Sequence, residues 1–190
     1  MKKAKILEKT ALYEGFLKVY RYRFEIEQHR GGTRTVTWEM MERGHSVGVL
    51  GHDPKRDEIV LVNECRPGIL VTGLYPFQDQ LVAGVVEKDE SALAAATREM
   101  QEEAGLELRD PVLIHPGAFV SSGGTSERIA LVYGTVDTSN AGGVYGMDES
   151  EDTLVVVLPV QAFLDRIRSG SVLKSVTLLA GYWLAERLKR

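Results

Sequence analysis

The stretch "GVVEKDESALAAATREMQEEAGL", Gly84 to Leu106, decides the reading of this chain. Its second half places Arg98, Glu99, Glu102 and Glu103 within six residues and stops at Gly105. The pattern predicts a helix from about Glu90 to Ala104, with Gly105 as its stop signal. Leu93, Ala96, Met100 and Ala104 fall on one stripe at helical spacing, which is expected to face the core. Glu99 and Glu103 are four residues apart and stack along one flank of that stripe, with Glu102 further round the same side. Like charges so placed cost a helix about 0.2–0.5 kcal/mol per pair, and Arg98 can offset part of this by pairing with Glu102. A solvated acidic face accounts for the charges, but less well for their position against the apolar stripe. Several carboxylates on one rigid flank, with no His or Cys among them, form a hard-oxygen site suited to Mg²⁺ or Mn²⁺.

Outward from this helix, two regimes follow. Residues 16–43 read as a hairpin: Tyr20, Tyr22, Phe24 and Ile26 alternate with Arg21, Arg23, Glu25 and Glu27, and Gly31-Gly32 is a turn signal. From "GHSVGVL" onward strands and helices mix. "DEIVLVNEC" and "DQLVAGVVE" read as strands, with further strands at 111–115, 127–137 and 153–159. Helices are expected near 160–168 and 173–188. The Gly- and Asp-rich segment 137–152 is a long loop, and long loops in compact domains are often functional.

At 190 residues the chain fits one domain with a small appendage. The net charge of −4 argues against nucleic acid or an anionic membrane as the main partner. The single cysteine, Cys65, excludes an internal disulfide and any multi-cysteine metal site, and is expected to be a buried small apolar residue. The start carries lysines but no apolar run of signal-peptide length, and no stretch approaches 18 consecutive apolar residues. A cytoplasmic location is the expectation. His29, His45, His52 and His115 show no metal spacing and receive no role.

The residues of the opening stretch match the Nudix box in full: Gly84, Glu90, Arg98-Glu99, the aliphatic-type Met100, Glu102-Glu103, Gly105 and Leu106. Seven fixed residue types at these offsets arise by chance on the order of one time in a million for a chain of this length. The chain thus resembles the Nudix hydrolases, which cleave a nucleoside diphosphate linked to another group with Mg²⁺. The resemblance implies an α/β/α sandwich with a mixed sheet, in which the box forms a strand, loop and helix. It also implies that Glu99 and Glu103 ligate metal, with Glu102 and the backbone carbonyl of Ala83 as further ligands. Arg98 would orient the carboxylates, and Glu90 would brace the loop.

"MERGHSVGVL", "DEIVLVNECRPG", "SSGGTSER" and "GGVYGMDESED" are similar, in order and spacing, to the ADP-ribose pyrophosphatase branch of that family. That likeness implies a small N-terminal antiparallel β arm, residues 1–44, swapped across a homodimer, and a catalytic domain at 45–190. It implies that Arg43 and Arg66 contact the diphosphate and that Trp38 and Glu39 hold the adenine. Ser126 or Glu127 would line the terminal-ribose pocket. Of the loop glutamates, one of Glu149 and Glu151 would be the general base and its neighbour an additional metal contact, with Glu149 favoured as base. On the residues alone each has a plainer reading. Arg43 could pair with Glu39 or Glu42, Trp38 could bury itself in a dimer interface, and "GGTSE" could be a simple turn. One departure bears on the substrate: Ser122 stands where ADP-ribose-selective members carry proline. GDP-sugars, NADH-like dinucleotides and FAD therefore stay open as substrates beside ADP-ribose, as does a Nudix-fold sensor that binds ADP-ribose without turnover.

Overall fold

The computed structural model describes residues 1–146 and 152–190. Contacts divide the chain into two units, residues 1–45 with 119–128, and residues 46–118 with 129–190.

The first unit is built on β1 (Ala4–Glu14), β2 (Lys18–Glu27) and β3 (Thr33–Glu42), an antiparallel sheet in that order. The expected hairpin is β2–β3, with Lys18 opposite Glu42 and Tyr22 opposite Trp38. The third strand, β1, is an addition. Every residue of it is exposed, so the alternation that marks a half-buried strand never developed in its sequence. Segment 119–128 joins this unit through a turn, with Gly124 and Thr125 N–H groups donating to the Ser121 carbonyl. Met41 N–H donates to the Gly124 carbonyl at 2.9 Å, and Ser126 N–H to the Met41 carbonyl at 3.3 Å.

The second unit is a mixed sheet with helices on both faces. Its strands are β4 (Ser46–Asp53), β5 (Glu58–Cys65), β6 (Phe77–Gln80), β7 (Val82–Val85), β8 (Arg109–Phe119), β9 (Arg128–Thr135), β10 (Val144–Tyr145) and β11 (Thr153–Pro159). The main order is β10-β11-β5-β4-β9-β8, with β6 paired to β5 and β7 to β4. The β4–β9 pair is parallel, whereas β5 runs antiparallel to β4, β6 and β11. A short helix α1 (Pro67–Leu70) follows β5; α2 (Ala92–Ala104), α3 (Val160–Ser169) and α4 (Ser175–Leu188) are the main helices. Strand periodicity sorts the core in two. Val60, Val62 and Val132 pack with Ala96, Met100 and Ala104 of α2. Ile59, Leu61 and Leu131 pack with Phe163, Leu164 and Leu184 of α3 and α4. A sheet covered on both faces needs apolar residues at successive positions, which is why "IVLV" reads as a continuous run. No helix among the described residues is long and apolar enough to cross a membrane.

Three expectations change. Leu93 lies in the first turn at the edge of the buried stripe and is 36% exposed, while Ala95 packs inward beside Ala96. Helix α2 begins at Ala92 rather than Glu90, because Ser91 caps it and its side chain accepts the Ala94 N–H. Cys65 is exposed at the end of β5, where the strand leaves the core. His52, given no role, is buried, with Nδ1 3.0 Å from the Tyr133 hydroxyl and Nε2 without a hydrogen-bond partner among the described residues.

Candidate active site

Helix α2 is clamped at both ends, and this fixes its carboxylates. At the C-terminus Gly105 takes φ 64°, and the N–H groups of Gly105 and Leu106 return to the Gln101 and Met100 carbonyls. A side chain at Gly105 would also strike the Tyr145 ring at 2.6 Å. At the N-terminus the loop from β7 closes on itself, where Glu90 accepts the Glu87 N–H at 2.9 Å.

Arg98 is the hub. Its Nε and Nη2 each donate to Glu90 at 3.1 Å, and Nη1 donates to both Glu99 and Glu102 at 2.8 Å. Its Nη2 also donates to the Val85 carbonyl at 3.0 Å. All five guanidinium N–H donors are thereby used. The Glu90 bonds come first among the causes that raise the proton affinity of Arg98. In return, Arg98 and then the Glu87 N–H hold the Glu90 carboxyl low. Arg98 thus pairs with Glu102 as the spacing suggested, and reaches two more carboxylates besides.

Glu99 and Glu103 behave differently because they are withdrawn from water. Burial pushes the Glu99 carboxyl up, against the pull of Arg98. Its carboxylate lies against the Cα of Gly84, where a Cβ would overlap it. Among the described residues no cation is in direct contact with Glu103, which accepts the Ala83 N–H at 3.1 Å. Burial, reinforced by the charges of Glu64 and Glu99, pushes its carboxyl up to about 7. Arg66, at the end of β5, acts on Glu103 in the opposite sense.

Glu64 and Gln80 were missed from sequence. Glu64 pairs with Arg66, whose Nε donates to Gln80 Oε1 at 3.0 Å. The signal lay in two strands whose apolar run is broken by polar residues, "VNEC" and "FQDQ", of which Glu64 and Gln80 fall on the same face.

The first unit carries the remaining described candidates. Trp38 is half exposed and packs at a tilt on Phe24, with ring centroids 5.4 Å apart. Glu39 pairs with Arg21 at 3.1 Å. Arg43 approaches neither Glu39 nor Glu42 as a partner; it lies 3.7 Å from Glu127, so these two candidates meet. Ser122 lies within the turn that precedes Ser126 and Glu127. The expected base and its neighbour, Glu149 and Glu151, lie outside the described residues.

A model of the NUDIX domain matches residues 42–170. The chain belongs to the Nudix family. An ADP-ribose pyrophosphatase of Escherichia coli K12 is 36% identical over 183 residues, covering 94% of this chain and 86% of that protein. An ADP-ribose pyrophosphatase of Haemophilus influenzae is 34% identical over 185 residues, covering 94% and 84%. A GDP-mannose pyrophosphatase of Escherichia coli SMS-3-5 is 23% identical over 175 residues, covering 92% and 91%. A crystal structure of an ADP compounds hydrolase shares the fold with a TM-score of 0.74 at 19% identity, covering 98% of this chain and 95% of that one.

The carboxylates of this Nudix chain fit a hard divalent cation by their chemistry. They are oxygen donors only, two of them are withdrawn from water, and the Arg98 guanidinium that holds Glu99 and Glu102 has no donor left. Among the described residues no three acidic, His or Cys side chains stand as a finished cage. Glu102 is turned toward Arg98, and the Ala83 N–H, rather than its carbonyl, is what faces a carboxylate here.

Proposed function

We propose that the chain hydrolyses the diphosphate bond of ADP-ribose or a related nucleoside diphosphate sugar, giving AMP and ribose 5-phosphate from ADP-ribose. The observation that carries this is the presence of two carboxylates withdrawn from water, Glu99 and Glu103, with the partly exposed Arg66 guanidinium close enough for its charge to act on Glu103. The similarity to two ADP-ribose pyrophosphatases across most of the chain supports the substrate. Glu99 and Glu103, with Glu102 and the Ala83 carbonyl, would hold Mg²⁺, for which Mn²⁺ could substitute. Such a cation supplies charge neutralisation and Lewis acidity at the diphosphate.

The protein groups divide the remaining work. Arg66 and Arg43 present fixed positive charge suited to bidentate phosphate contact. Arg98 touches no substrate in this scheme; it holds Glu99 and Glu102 in place. Trp38 stacks on the adenine, Glu39 hydrogen-bonds it, and Glu127 lines the sugar end. The proton of the attacking water goes to a loop carboxylate, Glu149 by preference, with Glu151 beside it as a ligand. Replacing each by Gln separates them: loss of the base lowers kcat by about 10²-fold or more, whereas loss of a ligand raises the Mg²⁺ needed for half activity. If neither variant loses activity, the proton goes elsewhere.

The arm, residues 1–44, is read as a swapped dimerisation element, and the enzyme as cytoplasmic, which cell fractionation would check. Ser122 and the GDP-mannose relative favour a second reading, a pyrophosphatase for another nucleotide sugar. A product-resolved assay with ADP-ribose, GDP-mannose, NADH and FAD, with Mg²⁺ and then with excess EDTA, decides between them. No turnover of any substrate would overturn the hydrolase reading.

A further inference from the structure

Arg66 is held by a residue outside the box. It follows β5 directly, and its backbone N–H donates to the Pro76 carbonyl at 3.0 Å. Its side chain is about one-third exposed at 32%. Two groups fix its guanidinium. Nε donates to Gln80 Oε1 at 3.0 Å, and Nη2 pairs with the Glu64 carboxylate. Gln80 Nε2 donates to that same carboxylate.

The strands bring this about. Gln80 of β6 stands opposite Val62 of β5, and Glu64 opposite Gln78. Gln80 and Glu64 are therefore diagonal neighbours on one face, within reach of long side chains. Gln80 is fully buried and Glu64 mostly so. A buried polar side chain must have its bonds satisfied, and this one satisfies both ends of its amide at once. Only an amide suits the position: it must accept from a cationic N–H and donate to a carboxylate in the same plane. A carboxylate at position 80 could not donate, and would bury a second negative charge against Glu64, whose charge already acts on Glu103. The bonds at Nε and Nη2 occupy the side edge of the guanidinium. Its end-on edge is left to present two parallel N–H groups, the geometry that matches two phosphate oxygens.

We propose that Gln80 is a positioning residue, locking Arg66 through Glu64 so that the guanidinium meets the diphosphate end-on. The proposal rests on the nucleoside-diphosphate hydrolase reading of the site.

The test uses Gln80→Leu, Gln80→Glu and the exchange Glu64→Gln/Gln80→Glu, each checked for folding by circular dichroism. KM and kcat are measured with ADP-ribose, and binding with a methylene-bridged ADP-ribose analogue that cannot be hydrolysed. Gln80→Leu should raise KM and the analogue Kd about tenfold, the effect of losing one bond to a charged group. Its kcat should change by less than about threefold, because ground-state and transition-state phosphates use Arg66 alike. Gln80→Glu alone should bind weakly, and the exchange should recover binding, since it restores one carboxylate and one amide around Arg66. If folded Gln80→Leu keeps the wild-type KM and Kd, the proposal is wrong. Should Gln80→Leu fail to fold, the exchange decides: recovery relative to Gln80→Glu supports positioning, and no recovery overturns it. Wild-type protein that binds the analogue but hydrolyses nothing would sink the hydrolase reading alone, because the binding arm still reports on Arg66.

Discussion

Replacing Glu103 by Gln should make the metal-free protein more stable and the enzyme inactive, and the first effect can be sized from the structure. The Glu103 carboxyl is pushed up to about 7 in the fold, against an ordinary value of 4.5. A raised carboxyl means that the folded state resists ionisation. Its contribution is therefore harmless below about pH 4.5 and becomes destabilising as pH rises through about 7. At about 1.36 kcal/mol per unit, the full difference approaches about 3 kcal/mol at pH 8. Gln keeps the shape, and its carbonyl can still accept the Ala83 N–H that Glu103 accepts at 3.1 Å. Its amide group loses some local hydration, so a net gain of about 1–3 kcal/mol is expected. For a chain of this size that is roughly 3–10 °C in Tm.

The assay is thermal unfolding in EDTA at pH 8 and again near pH 4.5, for wild type and variant. The variant should melt higher at pH 8, and the two should converge at the lower pH. Adding Mg²⁺ should raise the wild-type Tm, because a ligand that binds only the folded state stabilises it, and should leave the variant almost unmoved. Activity of the variant should fall by at least about two orders of magnitude. A variant that melts at or below wild type at pH 8 would refute the claim that Glu103 is withdrawn from water and under-neutralised.

Other outcomes follow from neighbouring contacts. Gly84→Ala puts a methyl group into the Glu99 carboxylate, so kcat should drop on the order of 10²-fold through misplacement; near-normal kinetics would show that Glu99 need not be there. Arg98→Met leaves Glu90, Glu99, Glu102 and the Val85 carbonyl without their donor, and should cost about 2–4 kcal/mol in urea unfolding, an unchanged midpoint being the contrary result. Burial holds the His52 imidazole below its usual 6.5, with Asp57 and Asp53 opposing and Arg190 and Arg187 assisting; stability should fall as pH drops below about 6.5, and His52→Phe should flatten that slope. Light scattering should give about twice the chain mass of 21.0 kDa, and a fully active monomer would remove the swapped-arm reading.

What the sequence made legible was whatever obeys a short-range rule. The stop at Gly105, the buried run "IVLV" and the pairing of Arg98 with Glu102 all depend on neighbours within one turn or one strand. The misses depend on which surface an element meets. Strand β1 has no buried face to print a period on its sequence. Cys65 looked apolar, but strand β5 had already emerged from the core at that point. Gln80 and Glu64 lie sixteen residues apart, and only the β5–β6 register makes them neighbours. The Arg43–Glu127 approach joins positions 84 apart in sequence, which no periodicity can anticipate.

Charge counting answers why one helix crowds its carboxylates. Glu90, Glu99 and Glu102 share the single guanidinium of Arg98, which has no donor left to give. Arg66 is committed to Glu64. Among the described residues Glu103 is left with one neutral backbone N–H. Among the described residues five carboxylates therefore face two guanidinium groups, a deficit of three charges in a region where two of the acids are already pushed up by burial. A solvated acidic face would not show this, since exposed carboxylates lose little to burial and need no hub. Nor would a purely structural network, which would be stabler with Gln at position 103 and has no use for the excess charge. The deficit has a purpose only if a cation completes the site, and the ligand that then remains to be bound is itself an anion. The same arrangement explains why Gln rather than Glu stands at position 80: the cluster can tolerate no further negative charge until that cation arrives.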